Sequence, residues 1–178
     1  MENYAPYTPD KAAVGAVSGF KQTAYISELG WIDTEATPTN TPTAMGDKVK
    51  IATAHTFVSG KGALPIQCFY KTGDQTGEAA GDQGAKVLNF KPKIFLQGDN
   101  AEALELVKNI LNKNVILWLE KTGCPGQLVQ YGCKCTPAIL DTANPVVGVT
   151  LNGKAGYEIT FEAQEKFFYN ATLSVYPS

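Results

Sequence analysis

The sequence predicts a mainly β fold: an antiparallel β-sandwich or barrel with one packed α-helix at about 99–112 and an extended N-terminal arm. About seven or eight segments show strand-type alternation or short apolar runs bounded by turn residues. A single segment shows helical periodicity. The 178 residues can bury a core without a disulfide staple, so we expect an arm at 1–19 and a single β-sandwich domain at 20–178.

The first third of the chain alternates between irregular and strand-like segments. Residues 1–19 combine tyrosines and prolines with a run of small residues and have no sustained period, which predicts the arm. Phe20–Leu29 alternates loosely and predicts a strand. Residues 33–47 are rich in Thr and Pro and predict an exposed loop. From Lys48 to Val58 the period returns to two, which predicts one further strand.

The middle of the chain predicts two more strands around an exposed loop. Ile66–Tyr70 is a short apolar run, and residues 71–85 are rich in Gly and acidic residues, as in a loop or hairpin tip. Val87–Leu96 resumes strand character. Pro92 within it predicts an edge strand or a bulge, because proline cannot donate to a ladder.

The helix has both a start signal and an apolar face. Asp99 and Asn100 are good caps, and Glu102 follows Asp99 at capping-box spacing. At about 100° per residue one broad side collects six apolar residues, which predicts that this side covers the core. They are Ala103, Leu104, Leu106, Val107, Ile110 and Leu111.

After the helix, Val115–Leu119 is a continuous apolar run, which predicts a strand buried on both faces. Leu128–Cys135 is its predicted hairpin partner. We interpret Pro137–Pro145 as a connection and Val146–Leu151 as a further strand. Gly156–Lys166 then alternates cleanly: Tyr157, Ile159, Phe161 and Ala163 share one face, and Glu158, Thr160, Glu162 and Gln164 share the other.

Composition excludes several function classes. The 15 cations are all lysines, and without arginine sequence-specific reading of nucleic acid is not expected. The net charge is −2, and His55 is the single histidine, which excludes multi-histidine metal or catalytic sites. No apolar stretch is long enough to span a membrane, and no signal peptide is visible. Nucleotide-binding glycine motifs and nucleophile elbows are absent, so we expect no enzymatic activity and no cofactor.

Two metal hypotheses remain beside simpler interpretations. Cys124, Cys133 and Cys135, with His55 or Cys68, are a candidate zinc set, but their spacing lacks paired Cys-x2–4-Cys. A disulfide from Cys124 to Cys133 or Cys135 is a further alternative, and packed thiols are the simplest interpretation. The acidic residues Asp74, Glu78 and Asp82 could gather calcium, yet a solvated loop is favoured over a site without EF-hand spacing. His55 shares a predicted strand face with apolar residues, which favours a core or interface histidine.

The order of elements in the C-terminal two thirds carries a resemblance. The matching segments are Lys93–Asp99, the helix at 100–112, Asn114–Glu120, Leu128–Gly132, Gly156–Ala163 and Phe168–Tyr169. Over roughly 87–170 the chain resembles structural proteins of tailed bacteriophages, especially tail tube (major tail) proteins.

The resemblance implies a structural virion protein that self-assembles into stacked, usually hexameric, rings around a channel for DNA. Its implied partners are further copies of itself, other tail or neck proteins and transiently passing DNA. Its implied location is the virion tail, after assembly in the host bacterial cytoplasm. Mild acidity and the lack of arginine suit a wall along which DNA slides without binding.

Candidate residues follow from this interpretation. The side of the strand Gly156–Lys166 that carries Glu158, Thr160, Glu162 and Gln164 points either into the channel or into ordinary solvent. Tyr4, Tyr7, Trp31 and Met45, in or near the arm and the 33–47 loop, are candidate inter-subunit contacts. The alternative function is a non-catalytic β-sandwich module that binds carbohydrate or a host surface, with exposed aromatic residues such as Trp31 and Tyr70 stacking on sugars.

Overall fold

The computed structural model describes residues 20–68, 73–122, 127–147 and 155–176. The helix is α1 (Ala101–Ile110), and short 3₁₀ turns occur at Leu29–Trp31 and Asp47–Val49. The strands are β1 (Phe20–Glu28), β2 (Ile32–Thr34), β3 (Lys50–Ile51), β4 (Thr56–Phe57), β5 (Leu64–Gln67), β6 (Asp74–Ala80), β7 (Val87–Gln97), β8 (Val115–Lys121), β9 (Leu128–Tyr131), β10 (Ile139–Val146), β11 (Gly156–Glu162) and β12 (Lys166–Tyr169).

The strands form two main sheets that face each other as a sandwich. A six-stranded sheet has the order β3-β12-β9-β8-β1-β5, and a four-stranded sheet has the order β10-β11-β7-β6. The small pair β2-β4 is separate. Among the described strands only β12 and β3 pair in parallel, and no sheet closes into a barrel. The predicted mainly β fold with one helix is therefore confirmed, in its sandwich form.

The principal core lies between the two sheets. The six-stranded sheet contributes alternate residues of its central strands, and the four-stranded sheet contributes the inward residues of β7 and β11. Helix α1 adds three side chains to the same cluster. Large members are Ile26, Leu117, Leu119, Tyr131, Ile94, Leu96, Ile159 and Phe161, with Ala103, Val107 and Ile110 from the helix.

A second cluster covers the opposite face of the six-stranded sheet. Strand β8 supplies Ile116 and Trp118 to it, while Val115, Leu117 and Leu119 point into the principal core. All five side chains are at most 1% exposed. The prediction of a strand buried on both faces is confirmed, because segments outside the sandwich cover this outer side.

Helix α1 starts where the capping residues predict. The Oδ1 of Asn100 accepts a hydrogen bond from the backbone N–H of Ala103 at 2.8 Å, which satisfies one of the free donors of the first turn. The predicted apolar face is too broad, since Leu104 is 40% and Leu111 is 44% exposed. The buried residues of the helix form the narrow stripe Ala103, Val107 and Ile110, and half-buried Leu106 packs beside them against the core.

The strand predicted from Lys48 to Val58 is wrong as a single element. The segment holds two two-residue strands, and these pair in different sheets: β3 with β12, and β4 with β2. Ile51 and His55 are buried, but Thr53 between them is exposed. The period of two is broken because the chain leaves one sheet and enters the other.

The segment 71–85, predicted as an exposed loop or hairpin tip, contains a strand from Asp74 to Ala80. It pairs with β7 in an unbroken register, from Asp74 opposite Lys93 to Ala80 opposite Val87. Backbone hydrogen bonds to a long partner strand hold it without bulky side chains. Exposed residues 81–86 form the tip of this hairpin.

The effect of Pro92 differs from prediction, because β7 lies inside the sheet between β11 and β6. Phe90 and Ala163 exchange both backbone hydrogen bonds, so the N–H groups of alternate residues from Phe90 point toward β11. The nitrogen of Pro92 therefore also faces β11. The β7–β11 pairing is interrupted at Pro92, because a proline nitrogen has no hydrogen to donate. It ends at the Thr160–Lys93 pair and resumes at the Phe90–Ala163 bridge.

The connection predicted at Pro137–Pro145 is also wrong, because Ile139–Val146 forms β10. This strand is an edge of the four-stranded sheet, with a register shift between Leu140 and Thr142. An edge position tolerates Pro145, whose nitrogen cannot donate. Most of the strand predicted at Val146–Leu151 lies outside the described residues.

Helix α1 has ten residues, and no described helix is long and apolar enough to cross a membrane.

Candidate functional site

The four-stranded sheet presents a polar face away from the core. On β11, Tyr157, Ile159 and Phe161 are buried at 7%, 1% and 0% exposure. The alternate residues Glu158, Thr160 and Glu162 are half-buried on the outward side, and exposed Gln164 follows the strand. The alternation predicted for this strand is therefore confirmed.

Neighbouring strands extend this outward face. Residues opposite each other in a β-ladder point to the same side, so the registers identify the other members. They are Asp74, Thr76, Glu78 and Ala80 on β6, Val87, Asn89, Lys91, Lys93, Phe95 and Gln97 on β7, and Ile139, Thr142, Asn144 and Val146 on β10. Hydroxyl, amide and charged groups make up most of this surface, which we call the polar face, and Asp141 joins it through its ion pair with Lys91. Apolar members interrupt it, with buried Phe95 opposite Glu158 and exposed Ile139 opposite Glu162.

Ion pairs and hydrogen bonds link the strands across the polar face. The Nζ of Lys93 lies 2.7 Å from Oε1 of Glu158, and the Nζ of Lys91 lies 3.5 Å from Oδ2 of Asp141. Asn89 donates from Nδ2 to Oε1 of Glu162 at 2.6 Å. These side chains are partly solvated, so each ion pair adds little stability, of the order of 0–1 kcal/mol.

The charge of the polar face is negative. Within the described strands it carries five carboxylates, on Asp74, Glu78, Asp141, Glu158 and Glu162, against two lysines, Lys91 and Lys93. The whole chain has a net charge of only −2. The acidic excess is thus concentrated on one side of one sheet, where it repels phosphate.

Strand β6 leaves one edge of the polar face open. The backbone N–H of Phe90 donates toward β11, so the N–H groups of its neighbours Asn89 and Lys91 donate toward β6. Their partners on β6, Glu78 and Thr76, donate toward β7 in turn. The N–H and C=O groups of Gln75, Gly77 and Ala79 consequently point away from β7. No described strand pairs with them there. The edge is seven residues long, without lysine, proline or a bulge, so it can accept another strand.

The end of the β6–β7 hairpin is apolar and exposed. Val87 is 49% and Leu88 is 56% exposed, and both follow the tip directly. Ala79 and Ala80 lie opposite them on β6 and are also exposed. Exposed apolar groups beside an open strand edge are typical of a contact with another chain.

The structure separates the predicted inter-subunit residues. Met45 is 53% exposed in the 33–47 loop. Trp31 stacks instead on Tyr176 near the C-terminus, with ring centroids 5.5 Å apart, and Lys61 lies 4.8 Å above the Trp31 ring. Tyr4 and Tyr7, together with Tyr70 of the alternative hypothesis, lie outside the described residues.

His55 is a buried core histidine, one of the two roles predicted for it, although it lies between β3 and β4 and not on a continuous strand face. It is 2% exposed, and both ring nitrogens have partners: Nδ1 accepts from the backbone N–H of Ala36 at 3.0 Å, and Nε2 lies 2.7 Å from Oε1 of Gln130. Burial lowers its pKa, while the Gln130 hydrogen bond and the charge of Glu35 act in the opposite direction. The ring is thus held as a neutral structural element.

The three described cysteines differ in their surroundings. Cys68 is buried in the principal core, which raises the pKa of its thiol to about 11. Cys133 contacts the hydroxyl of Thr136 at 3.1 Å, and Cys135 is exposed. Cys124 lies outside the described residues. Among the described residues, no three His, Cys, Asp or Glu side chains are grouped to hold a metal.

Sequence reasoning missed Gln130 and the strand β6. Gln130 is fully buried and accepts from Nε1 of Trp118 at 3.0 Å as well as contacting His55. A glutamine inside the apolar stretch Leu128–Tyr131 was a detectable signal of a buried polar cluster. For β6, small side chains hid a strand that is specified by its partner β7.

Comparisons with known proteins identify no family for this chain. No family model matches it, and no curated protein matches it. A solved structure described as the virion of a native gene transfer agent (GTA) particle is similar at a TM-score of 0.34 and 13% identity, over 85% of each chain. Similarity at this level establishes neither a shared fold nor a function.

Proposed function

We propose that this chain is a non-enzymatic structural protein of a virion, which assembles into stacked rings that form a tail tube or neck channel for DNA. The observation that carries the proposal is the acidic polar face ending at an open strand edge. The sequence resemblance to tail tube proteins supports the same function. The proposed location is therefore the virion tail, after assembly in the host bacterial cytoplasm.

The two edges of the four-stranded sheet favour head-to-tail contacts between copies. One edge is β6, which is open and regular, and the other is β10, which has a register shift and contains Pro145. A contact between the β6 edge of one copy and the β10 edge of the next is heterologous. When the same contact repeats around a rotation axis, the copies close into a ring. Closure would remove the exposed edge of every copy. The ring, hexameric in this proposal, would carry the polar faces on one continuous wall.

The chemistry of the polar face suits a channel for DNA. Glu158, Thr160, Glu162 and Gln164 would point into the channel together with their neighbours on β7 and β10. DNA sticks to proteins mainly through lysine and arginine contacts to phosphate. Because Lys91 and Lys93 are already engaged with carboxylates, the wall offers few free cations to passing DNA. Further copies and other tail or neck proteins would be the lasting partners.

Negative-stain electron microscopy of the concentrated protein is the first test. Rings or tubes with a central channel are expected, and their stoichiometry follows from class averages and native mass spectrometry. A protein that stays monomeric at high concentration, with and without other virion proteins, would contradict the proposal.

A charge variant tests which face lines the channel. Thr142→Lys combined with Asn144→Lys adds two cations to exposed positions of the polar face and breaks none of the ion pairs described above. We expect its assemblies to bind DNA in a salt-sensitive manner, because every copy repeats the added charge.

The matched control is Asn40→Lys combined with Asn112→Lys, which adds the same charge at exposed positions outside the sheet. The control assemblies should bind DNA no better than the wild type. Equal DNA binding by both variants would place the polar face outside the channel.

A further inference from the structure

A cleft opens between the C-terminal half of α1 and the adjacent end of the six-stranded sheet. Its volume is about 190 Å³, and a cavity of about 150 Å³ already holds a benzene ring. Apolar side chains form its body: Ile26, Leu64, Leu106, Ile110 and Val115, beside the ring of Trp31. Leu64 and Leu106 are only half-buried, so the cleft is accessible from outside.

The rim of the cleft is polar. The Nζ of Lys113 lies 3.0 Å from Oε2 of Glu28, and Asn109 is exposed beside this ion pair. An apolar body with a polar rim suits a tyrosine, whose ring is apolar and whose hydroxyl needs a hydrogen-bond partner. A purely aliphatic side chain would leave the rim unused.

The cleft and the point where residues 1–19 join the described chain are at opposite ends of β1. Phe20, where the described chain begins, pairs with Lys121, whereas Glu28 pairs with Val115 at the cleft. The two ends are about 26 Å apart at the rise of a β-strand. In the proposed stack, successive rings follow one another along β1, whose direction runs from the root of the arm toward the cleft, so that the root on one copy faces the cleft of the next. The segment from Tyr7 to Phe20 can span at most about 43–47 Å, which exceeds the roughly 26 Å between the two ends of β1.

We propose that a tyrosine of the segment Tyr4–Pro9 in one copy binds in the α1 cleft of the next copy along the stack. This inference rests on the proposed assembly into stacked rings and assigns the contact between successive rings. The segment Tyr4-Ala5-Pro6-Tyr7-Thr8-Pro9 offers two tyrosines within a proline-restricted stretch, which lowers the entropy lost on binding. Because donor and acceptor lie at opposite ends of the subunit, the contact repeats without closing.

Photo-crosslinking in the full-length protein tests the contact directly. Copies with Tyr7→p-azidophenylalanine are mixed with isotopically heavy copies that lack the probe, and linked peptides are identified by mass spectrometry. We expect light arm peptides joined to heavy peptides from Leu106–Val115 or Ile26–Trp31. The same experiment with Tyr4→p-azidophenylalanine covers the other tyrosine of the segment. If both probes give only links within one copy, links elsewhere or no links, the proposal is overturned.

A pair of helix variants provides a matched control. Leu106→Trp fills the cleft from a half-buried lining position, whereas Leu104→Trp adds the same ring on the exposed side of the same helix. We expect Leu106→Trp to lower the yield of the cross-link at least about tenfold and Leu104→Trp to leave it within about twofold. Equal yields in two variants with wild-type melting curves would overturn the cleft as the binding site.

Electron microscopy of the same variants separates this inference from the proposed function. Tyr4→Ala combined with Tyr7→Ala, or Leu106→Trp alone, should leave single rings and shorten the stacks. When the double tyrosine variant is mixed with Leu106→Trp, one type of junction should regain the contact. It is the junction at which the intact arm of the Leu106→Trp copy meets the intact cleft of the tyrosine variant. If wild-type copies form no rings, the proposed function fails, while the cross-link still decides whether the arm binds the cleft. Full-length stacks from both variants would overturn the inference alone.

Discussion

The Nε2 of His55 lies 2.7 Å from Oε1 of Gln130, and both side chains are buried on the outer side of the six-stranded sheet. Because Nδ1 of His55 accepts from the N–H of Ala36, the ring proton sits on Nε2 and is donated to Gln130. The same oxygen accepts from Nε1 of Trp118, and Gln130 donates onward to the carbonyl of Gly132 at 3.0 Å. The cluster thus ties the 33–47 loop to strands β8 and β9 through a neutral histidine.

Stability should fall as the pH drops below about 6.5. Burial lowers the pKa of His55 in the folded state, so the unfolded chain takes up a proton that the folded chain does not. The stability contributed by neutral His55 is therefore fully present above the pKa of the histidine in the unfolded chain. It is lost as the pH decreases below that pKa, by at most about 1.4 kcal/mol per pH unit. Urea denaturation between about pH 5.5 and 7.5 measures it.

The control for this pH dependence is His55→Asn. Its carboxamide oxygen can still accept from Ala36, but the side chain does not titrate. The variant should be less stable, because it loses the hydrogen bond from Nε2 to Gln130. Since His55 is the single histidine of the chain, the variant should also lose most of the dependence of stability on pH in this window. The same slope in both proteins would assign the pH dependence to other groups.

Replacement of Gln130 should be strongly destabilising. Gln130→Leu leaves the ring N–H groups of His55 and Trp118 without their shared acceptor in a dry environment. Each orphaned donor costs about 1–3 kcal/mol, so for the two donors we expect a loss of roughly 2–6 kcal/mol in the free energy of unfolding. Denaturant midpoints measure the loss. Gln164→Leu, at an exposed position, should change stability by less than about 0.5 kcal/mol, and an equal effect of the two changes would refute this role of Gln130.

A proline on the open edge should block assembly and spare the fold. Ala79→Pro removes an N–H that points away from β7, so the β6–β7 ladder keeps its bonds. We expect the monomer to melt within a few degrees of the wild type and the rings to disappear in electron micrographs. Ala79→Val is the control, because it keeps the N–H and should keep the rings. Intact rings from Ala79→Pro would show that β6 is not the assembly edge.

Elements whose signal is local were predictable from the sequence. Val115–Leu119 was predicted as a doubly buried strand because five successive apolar side chains cannot face water on either side. The alternation of Tyr157, Ile159 and Phe161 identified the inward face of β11 for the same reason. The helix start at Asn100 was predictable because a cap and the free N–H groups that it satisfies lie within one turn.

The tertiary structure decided what depends on partners distant in the chain. Asp74–Ala80 is a strand because β7 supplies its hydrogen bonds, and its own small side chains carry no β signal. Leu104 is exposed because the sandwich reaches only a narrow stripe of α1. His55 is neutral because burial lowers its pKa, and its hydrogen-bond partner Gln130 lies 75 residues away in the chain. Residue order alone sets periodicity and capping, whereas strand pairing, burial and the polar face depend on which surfaces meet when the sheets pack.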